Sequence, residues 1–154
     1  SFLRWREDEG IIVDTRRDVR MAFLDGYTPT TVFRELEKEL GEDIYPLVIK
    51  AQKEATHRHL DDLKLVTRED RMSPGGGRAV YEKILASLPL FGQGNPVSLR
   101  MEDGRLEVTV ENPYNEHLLA GHLAAIYEAV EGAESEVGWR KPDPFTAVFT
   151  VYPR

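Results

Sequence analysis

Apolar residues repeat along this chain at two spacings, and the shorter one predicts strands. Runs with alternating or mostly apolar positions, separated by polar turns, are typical of β-hairpins. Between two of these runs, Asp103-Gly104 is a strong signal for a two-residue hairpin turn. Three strand pairs are predicted: residues 11–14 with 19–24, 97–101 with 106–110, and 134–139 with 145–152.

The longer spacing, with apolar residues three and four apart, predicts four helices. Thr28 and Pro29 are typical of a helix start, and Gly41 of a helix end. Asn115 is expected to cap the fourth helix at its start and Gly132 to end it. The predicted helices cover residues 28–40, 43–65, 80–88 and 116–131.

The predicted element order is ββααα-ββ-α-ββ. Strands joined in adjacent hairpins imply an antiparallel sheet, so the fold class is α+β, with helices packed on that sheet. The 154 residues are enough for one buried core. We therefore expect residues 1–9 to form an N-terminal extension and residues 10–154 to form a single domain.

Charge and cysteine content exclude several classes of function. Twenty Lys and Arg residues stand against 27 Asp and Glu residues, a net charge of −7, which is unfavourable for binding nucleic acid. The absence of cysteine removes disulfides, thiolate zinc sites and thiol nucleophiles, and it fits a reducing compartment, so we expect a cytoplasmic protein. No apolar run approaches the ~18 residues of a membrane span, and the N-terminus is too polar for a signal peptide.

The second helix carries the leading candidate for a polar group in a pocket. At 100° per residue, its apolar stripe continues through Arg58, His59 and Asp62. An imidazole in a half-buried cavity can orient a ligand or exchange a proton with it near neutral pH. Alternatively, the helix leaves the core at this point, and Arg58 and Asp62 form an ordinary ion pair one turn apart.

The histidine spacings do not favour a metal site. His57 and His59 lie about 200° apart on a helix, and His117 and His122 about 140° apart, so neither pair can share one ion unaided. His122 lies at the edge of its apolar stripe, where it either lines a cavity or is a hydrogen-bonded core residue. We find no nucleophile motif or nicotinamide fingerprint, and we predict no catalytic residue and no cofactor.

Several short motifs resemble the 4-vinyl-reductase domain family. They are the ten residues at 85–94, the Asp-Gly hairpin, residues 119–125 with Gly132, and residues 10–12, 33–37 and 40–41. The resemblance covers about residues 10 to 152. Relatives of this family include the aromatic-sensing domains of phenol- and xylene-responsive activators and the core subunits of the TRAPP vesicle-tethering complex.

Many members of that family hold a zinc ion with cysteines in a Glu-x-x-Cys-x7-Cys-x-Phe pattern. This chain keeps the spacing with Glu136 and Phe149, but Trp139 and Ala147 stand where the cysteines would be. Because thiolates supply most ligands of such a site, we expect no zinc here. Trp139 and Ala147 would instead fill the volume with apolar atoms.

The resemblance implies a cavity between helices and sheet that accepts a hydrophobic, aromatic or acyl small molecule, and it implies a homodimer. Three functions stay open: a ligand-binding or sensory module without catalysis, an enzyme or accessory domain in tetrapyrrole vinyl reduction, and a dimeric interaction subunit whose pocket is filled. Each candidate lining residue is alternatively plain core. These candidates are Phe33, His59, Tyr81, His122 and Trp139.

Overall fold

A computed structural model describes residues 2–16, 18–21, 25–67, 69–70 and 76–154. It confirms the α+β class, with antiparallel sheets and helices. A small sheet contains β1 (Leu3–Arg6), β2 (Ile11–Asp14) and β3 (Val19–Met21). A large sheet has the order β4-β5-β7-β6, with β4 at Asn95–Glu102, β5 at Arg105–Glu111, β6 at Ser135–Asp143 and β7 at Thr146–Pro153. The helices are α1 (Tyr27–Leu40), α2 (Tyr45–Asp62), α3 (Gly76–Leu85) and α4 (Glu116–Glu131), with a 3-10 helix at Leu88–Phe91.

The small sheet is the main departure from the expected single sheet. Strand β1 was not predicted, because charged residues interrupt its short sequence, but it pairs with β2 from Leu3 opposite Asp14 to Arg6 opposite Ile11. Residues 22–24, predicted as the end of β3, lie outside the described residues. The division into residues 1–9 and 10–154 stays a prediction.

Helix α4 is the centre of the core. It begins at Asn115, whose side chain accepts a hydrogen bond from the Leu118 N–H at 3.0 Å, and it ends at Gly132 in the left-handed conformation. Both predicted caps are therefore confirmed. Because helix α4 is apolar on almost every side, most of its surface must be buried. The large sheet and α2 pack against it. Its buried residues are Leu119, Ala120, Gly121, Leu123, Ala124, Ala125, Ile126, Tyr127 and Val130.

The large sheet presents an apolar face to α4. In β5, Leu106, Val108 and Val110 alternate with more exposed residues and are themselves fully buried, as the alternation predicts. Asp103 and Gly104 both have positive φ angles, of 49° and 72°, which is the conformation of the predicted two-residue turn. The turn therefore sets the register of the β4–β5 hairpin.

Helices α2 and α4 approach each other very closely at Gly121. A Cβ atom at this position would collide with the backbone oxygen of Ile49 and would lie 2.9 Å from Cβ of Gln52. Only glycine permits this approach of the two backbones.

Glu128 joins α2, α4 and β6 through a cluster of hydrogen bonds. Its carboxylate accepts from Lys53 Nζ at 2.9 Å and from the Ser135 N–H at 2.9 Å, and it lies 2.8 Å from His57 Nε2. Burial opposes ionisation of Glu128, but the bonds to His57, Lys53 and Ser135 outweigh it and lower the pKa of the carboxyl group. The folded protein therefore favours the charged form.

Helix α1 forms as predicted but lies at the surface, with none of its residues buried. Val32, Leu36 and Leu40, which form one apolar stripe, are 48%, 46% and 61% exposed. Among the described residues, no helix is both long and apolar enough to cross a membrane.

We expect Gly121→Ala to lower the free energy of unfolding by about 1–3 kcal/mol, because the added methyl group must separate α2 from α4. Urea unfolding measures this loss. Gly138→Ala is the matched control, since no heavy atom of the described chain lies within 4 Å of a Cβ built there. Equal stability of the two variants would contradict the close-contact argument.

We expect Glu128→Gln to lower the free energy of unfolding by about 1–3 kcal/mol at pH 7, because it weakens the hydrogen bonds that three residues make to a partly buried charge. A carboxyl pKa that is lower in the folded state stabilises the protein above the unfolded pKa near 4.5 and stops doing so as the pH falls through the folded pKa. The difference between variant and wild type should therefore shrink below about pH 4.

Urea unfolding at neutral and acidic pH measures this difference. Glu82→Gln serves as the control, because its ion pair with Arg78 is more than half exposed and should contribute less than about 0.5 kcal/mol. A deficit of Glu128→Gln that is the same at all pH values would show that packing, not charge, is responsible.

Candidate functional site

A pocket of about 250 Å³ lies where the small sheet meets α2, α4 and the 3-10 helix. Its wall is mixed, with apolar side chains beside several hydrogen-bonding groups. A concave site with a few converging polar groups is the usual form of a small-molecule site. The described lining residues are Asp14, Arg16, Met21, Gln52, Ala55, Thr56, His59, Ser87, Phe91, Gln93 and His122.

A chain of hydrogen bonds runs from α2 to His122 on α4. Gln52 Nε2 donates to Thr56 Oγ1 at 3.1 Å, and this oxygen lies 3.1 Å from Nδ1 of His122. Because Thr56 accepts from Gln52, its own proton is free to be donated to Nδ1. We assign the His122 proton to Nε2 on this ground.

The Nε2 atom of His122 is buried and has no hydrogen-bond partner among the described residues. A buried donor without a partner costs free energy, so such atoms are uncommon in proteins and call for an explanation. Burial, aided by repulsion from His59, lowers the pKa of His122 to about 4. At neutral pH the ring is therefore uncharged, and it offers an N–H donor rather than a cation.

The small sheet contributes a charged wall. Asp14 is buried, and both of its carboxylate oxygens accept hydrogen bonds from Arg16, which is partly exposed. The hydrogen bond to Asp14 raises the pKa of Arg16 further, against a small opposing effect of burial. Arg16 also lies over the ring of Phe2, and Phe2 contacts Phe91 of the 3-10 helix. These contacts join the small sheet to the pocket.

Local helix geometry explains why the polar groups converge. Gln52, Thr56 and His59 occupy positions i, i+4 and i+7 of α2, so they lie on one face of that helix. His122 follows Gly121, the residue that allows α2 and α4 to approach each other. The close contact thus brings the polar face of α2 against the imidazole of His122.

The structure brings together two of the five candidate residues, His59 and His122, which line the same pocket. Phe33 instead lines a separate surface hollow between α1 and α2, next to Leu47 and Leu118. Tyr81 lies in the core, where its hydroxyl donates to Glu131 at 2.9 Å and where burial, with the Glu131 contact, raises its pKa.

Trp139 lies in an aromatic cluster away from the pocket. Its ring makes an edge contact with His117, 4.9 Å between ring centroids, and His117 stacks on Tyr45 at 3.7 Å. The ring of Phe149 packs on its other side, and Ala147 is fully buried nearby in β7. In the described part of the chain, no three His, Asp or Glu side chains are grouped so that they could hold a metal ion.

Most of the polar lining was not predicted from the sequence. Gln52 and Thr56 were detectable, because their positions on a helical wheel fall within the apolar stripe of α2 that leads to His59. Asp14 and Arg16 gave no such signal, because a short Asp-x-Arg sequence at a turn is ordinary on a protein surface.

Comparison with known proteins shows what this fold is similar to. No protein-family model and no curated protein sequence matches the chain. Among solved structures, the phenol-responsive sensory domain of the transcription activator PoxR, determined with phenol, is similar with a TM-score of 0.68 at 14% identity. The match covers 98% of this chain and 85% of that one.

A trafficking protein particle complex subunit 3 from Naegleria fowleri, covalently bound to palmitic acid, is similar with a TM-score of 0.56 at 10% identity. That match covers 84% of this chain and 95% of the other. At these identities the likenesses concern the fold. The chain thus has a fold similar to those of a phenol-sensing domain and a palmitate-bound trafficking subunit.

Proposed function

We propose that this chain is a ligand-binding module of the sensory kind, which binds a compact aromatic molecule with a polar substituent and does not transform it. The observation that carries the proposal is the buried, unpartnered Nε2 of His122 on an α4 residue that lines the pocket. A ligand oxygen that accepts this N–H would remove its desolvation cost. The fold shared with a phenol-responsive sensory domain supports the proposal.

The volume of the pocket favours a single aromatic ring. A cavity of about 150 Å³ is enough to hold benzene, and pockets for larger organic ligands begin at about 300 Å³. At about 250 Å³, this pocket suits a substituted ring better than a long acyl chain or a tetrapyrrole. Among the three functions that the sequence left open, size therefore favours the binding module.

The wall of the pocket suits the two ends of such a molecule. Met21, Ala55 and Phe91 offer apolar surface for a ring. His122 offers the donor, and the amide oxygen of Gln93 can accept a hydrogen bond from a ligand hydroxyl. A phenol-like compound, which accepts and donates at one oxygen, matches this set.

We propose also that the chain forms a homodimer, as its resemblance to the 4-vinyl-reductase family implies. The stripe of Val32, Leu36 and Leu40 on α1, each about half exposed, supports the proposal, because contiguous apolar surface commonly marks an interface. A cytoplasmic location stays a prediction from the absence of cysteine.

We expect His122→Leu to weaken phenol binding by about tenfold or more, because the N–H donor is lost. The same variant should change the free energy of unfolding by less than about 1 kcal/mol, because removal of the unpartnered Nε2 offsets the loss of the hydrogen bond to Thr56. Isothermal titration with phenol and urea unfolding measure the two effects. If His122 has only a structural role, the variant should lose stability and keep its affinity for phenol.

Tyr127→Phe is the matched control for this experiment. Tyr127 lies on the same helix, and its hydroxyl donates to the backbone oxygen of Gly104, away from the pocket. This variant should lose stability and keep its affinity for phenol. If wild-type protein binds no phenol or other single-ring compound, the proposed function is wrong.

We expect the wild-type chain to sediment as a dimer and Leu36→Glu to sediment as a monomer, because a charge in the stripe opposes its burial. Sedimentation velocity measures both. Glu39→Gln, a change beside the stripe that adds no charge, should remain dimeric. A wild-type monomer at every concentration tested would refute the homodimer.

A further inference from the structure

One wall of the pocket contains an ion pair whose carboxylate is buried. Asp14 is 1% exposed, and its two oxygens accept from Nε and one terminal nitrogen of Arg16 at 3.0 and 2.8 Å. The backbone N–H of Arg16 also donates to Asp14, at 3.0 Å. Paired hydrogen bonds of this kind fix the two groups in one relative orientation.

The same guanidinium also lies over the face of an aromatic ring. Cζ of Arg16 lies 3.9 Å from the centre of the Phe2 ring, and Phe2 in turn packs on Phe91, a lining residue. The carboxylate and the ring together restrict rotation of the guanidinium. Arg16 is therefore already committed to partners within the protein.

The fixed charges of the described lining cancel. Asp14 and Arg16 are its carboxylate and its guanidinium, and the two imidazoles of the lining are those of His59 and of His122, which is uncharged at neutral pH. A ligand carboxylate would give up water without gaining a free cation, and it would enter a wall that contains the Asp14 charge. A neutral polar group avoids both costs.

We propose that Asp14 is a specificity-determining residue, which occupies Arg16 and so makes the pocket accept uncharged single-ring ligands and reject the corresponding carboxylates. The inference rests on the proposed function, because it concerns the ligand of the same pocket. On this inference, Asp14 of the small sheet determines which ligand charge is accepted, and His122 of α4 supplies the hydrogen-bond donor.

Phenol, benzamide and benzoate are the probes for the test, with binding measured by isothermal titration at about pH 8, where an unperturbed imidazole is uncharged. Benzamide and benzoate have nearly the same shape and differ in charge. Wild-type protein should bind benzamide about tenfold or more tightly than benzoate. Asp14→Asn, which frees Arg16, should raise the ratio of benzoate affinity to phenol affinity about tenfold or more.

Two variants separate this effect from a general change in charge. Asp18→Asn removes an equal charge from the turn before β3, at a residue whose side chain is 88% exposed, and it should leave the ratio unchanged. Combining Asp14→Asn with Arg16→Gln should abolish the gain in benzoate affinity, because the freed cation is gone. Circular dichroism shows which variants are folded.

Wild-type protein that binds benzoate as tightly as benzamide overturns the inference without any need of a variant. So does a folded Asp14→Asn protein with an unchanged affinity ratio. Either result, with phenol bound by the wild type, leaves the proposed function standing. If none of the three probes binds, the proposed function itself fails.

Discussion

The close contact of α2 with α4 at Gly121 is the constraint on which the site depends. A side chain there would collide with the backbone of α2, so the missing Cβ sets the distance between the two helices. At that distance Thr56 reaches His122, and Gln52 supports Thr56. The same approach lets Lys53 and His57 reach Glu128 farther along the two helices. One glycine thus positions both polar clusters between α2 and α4.

The two polar clusters differ in how fully their hydrogen-bonding groups are satisfied. Glu128 receives bonds from three residues, which outweigh the cost of its burial, so this cluster adds stability. His122 is bonded at one nitrogen only, and its other nitrogen has no partner in the described part of the chain. This unsatisfied nitrogen is the observation on which the proposed ligand interaction rests.

Much of the fold was predictable, because its elements carry local signals. Asn115 and Gly132 bound α4, and Asp103-Gly104 specifies a turn, through hydrogen bonds and backbone angles that involve only neighbouring residues. The pocket was less predictable, because it depends on contacts distant in sequence. His59 and His122 were chosen separately and line one pocket, whereas Asp14, which gave no local signal, reaches that pocket only through the fold of the small sheet. The resemblance of motifs indicated a cavity, and His59 and His122 were among its predicted lining residues, but Asp14, Arg16 and Gln52 were not.

The polar pocket and the aromatic cluster around Trp139 lie at different places in the fold. Around Trp139 the chain fills space with packed aromatic rings and the small, buried Ala147. The hydrogen-bonding groups are instead concentrated across α4, beside the small sheet. On the proposed function, a ligand there would offer an acceptor to His122 and would carry no charge that competes with Asp14 for Arg16. The two requirements concern different walls of the same small pocket. Together they would restrict the range of ligands more than the apolar surface alone does.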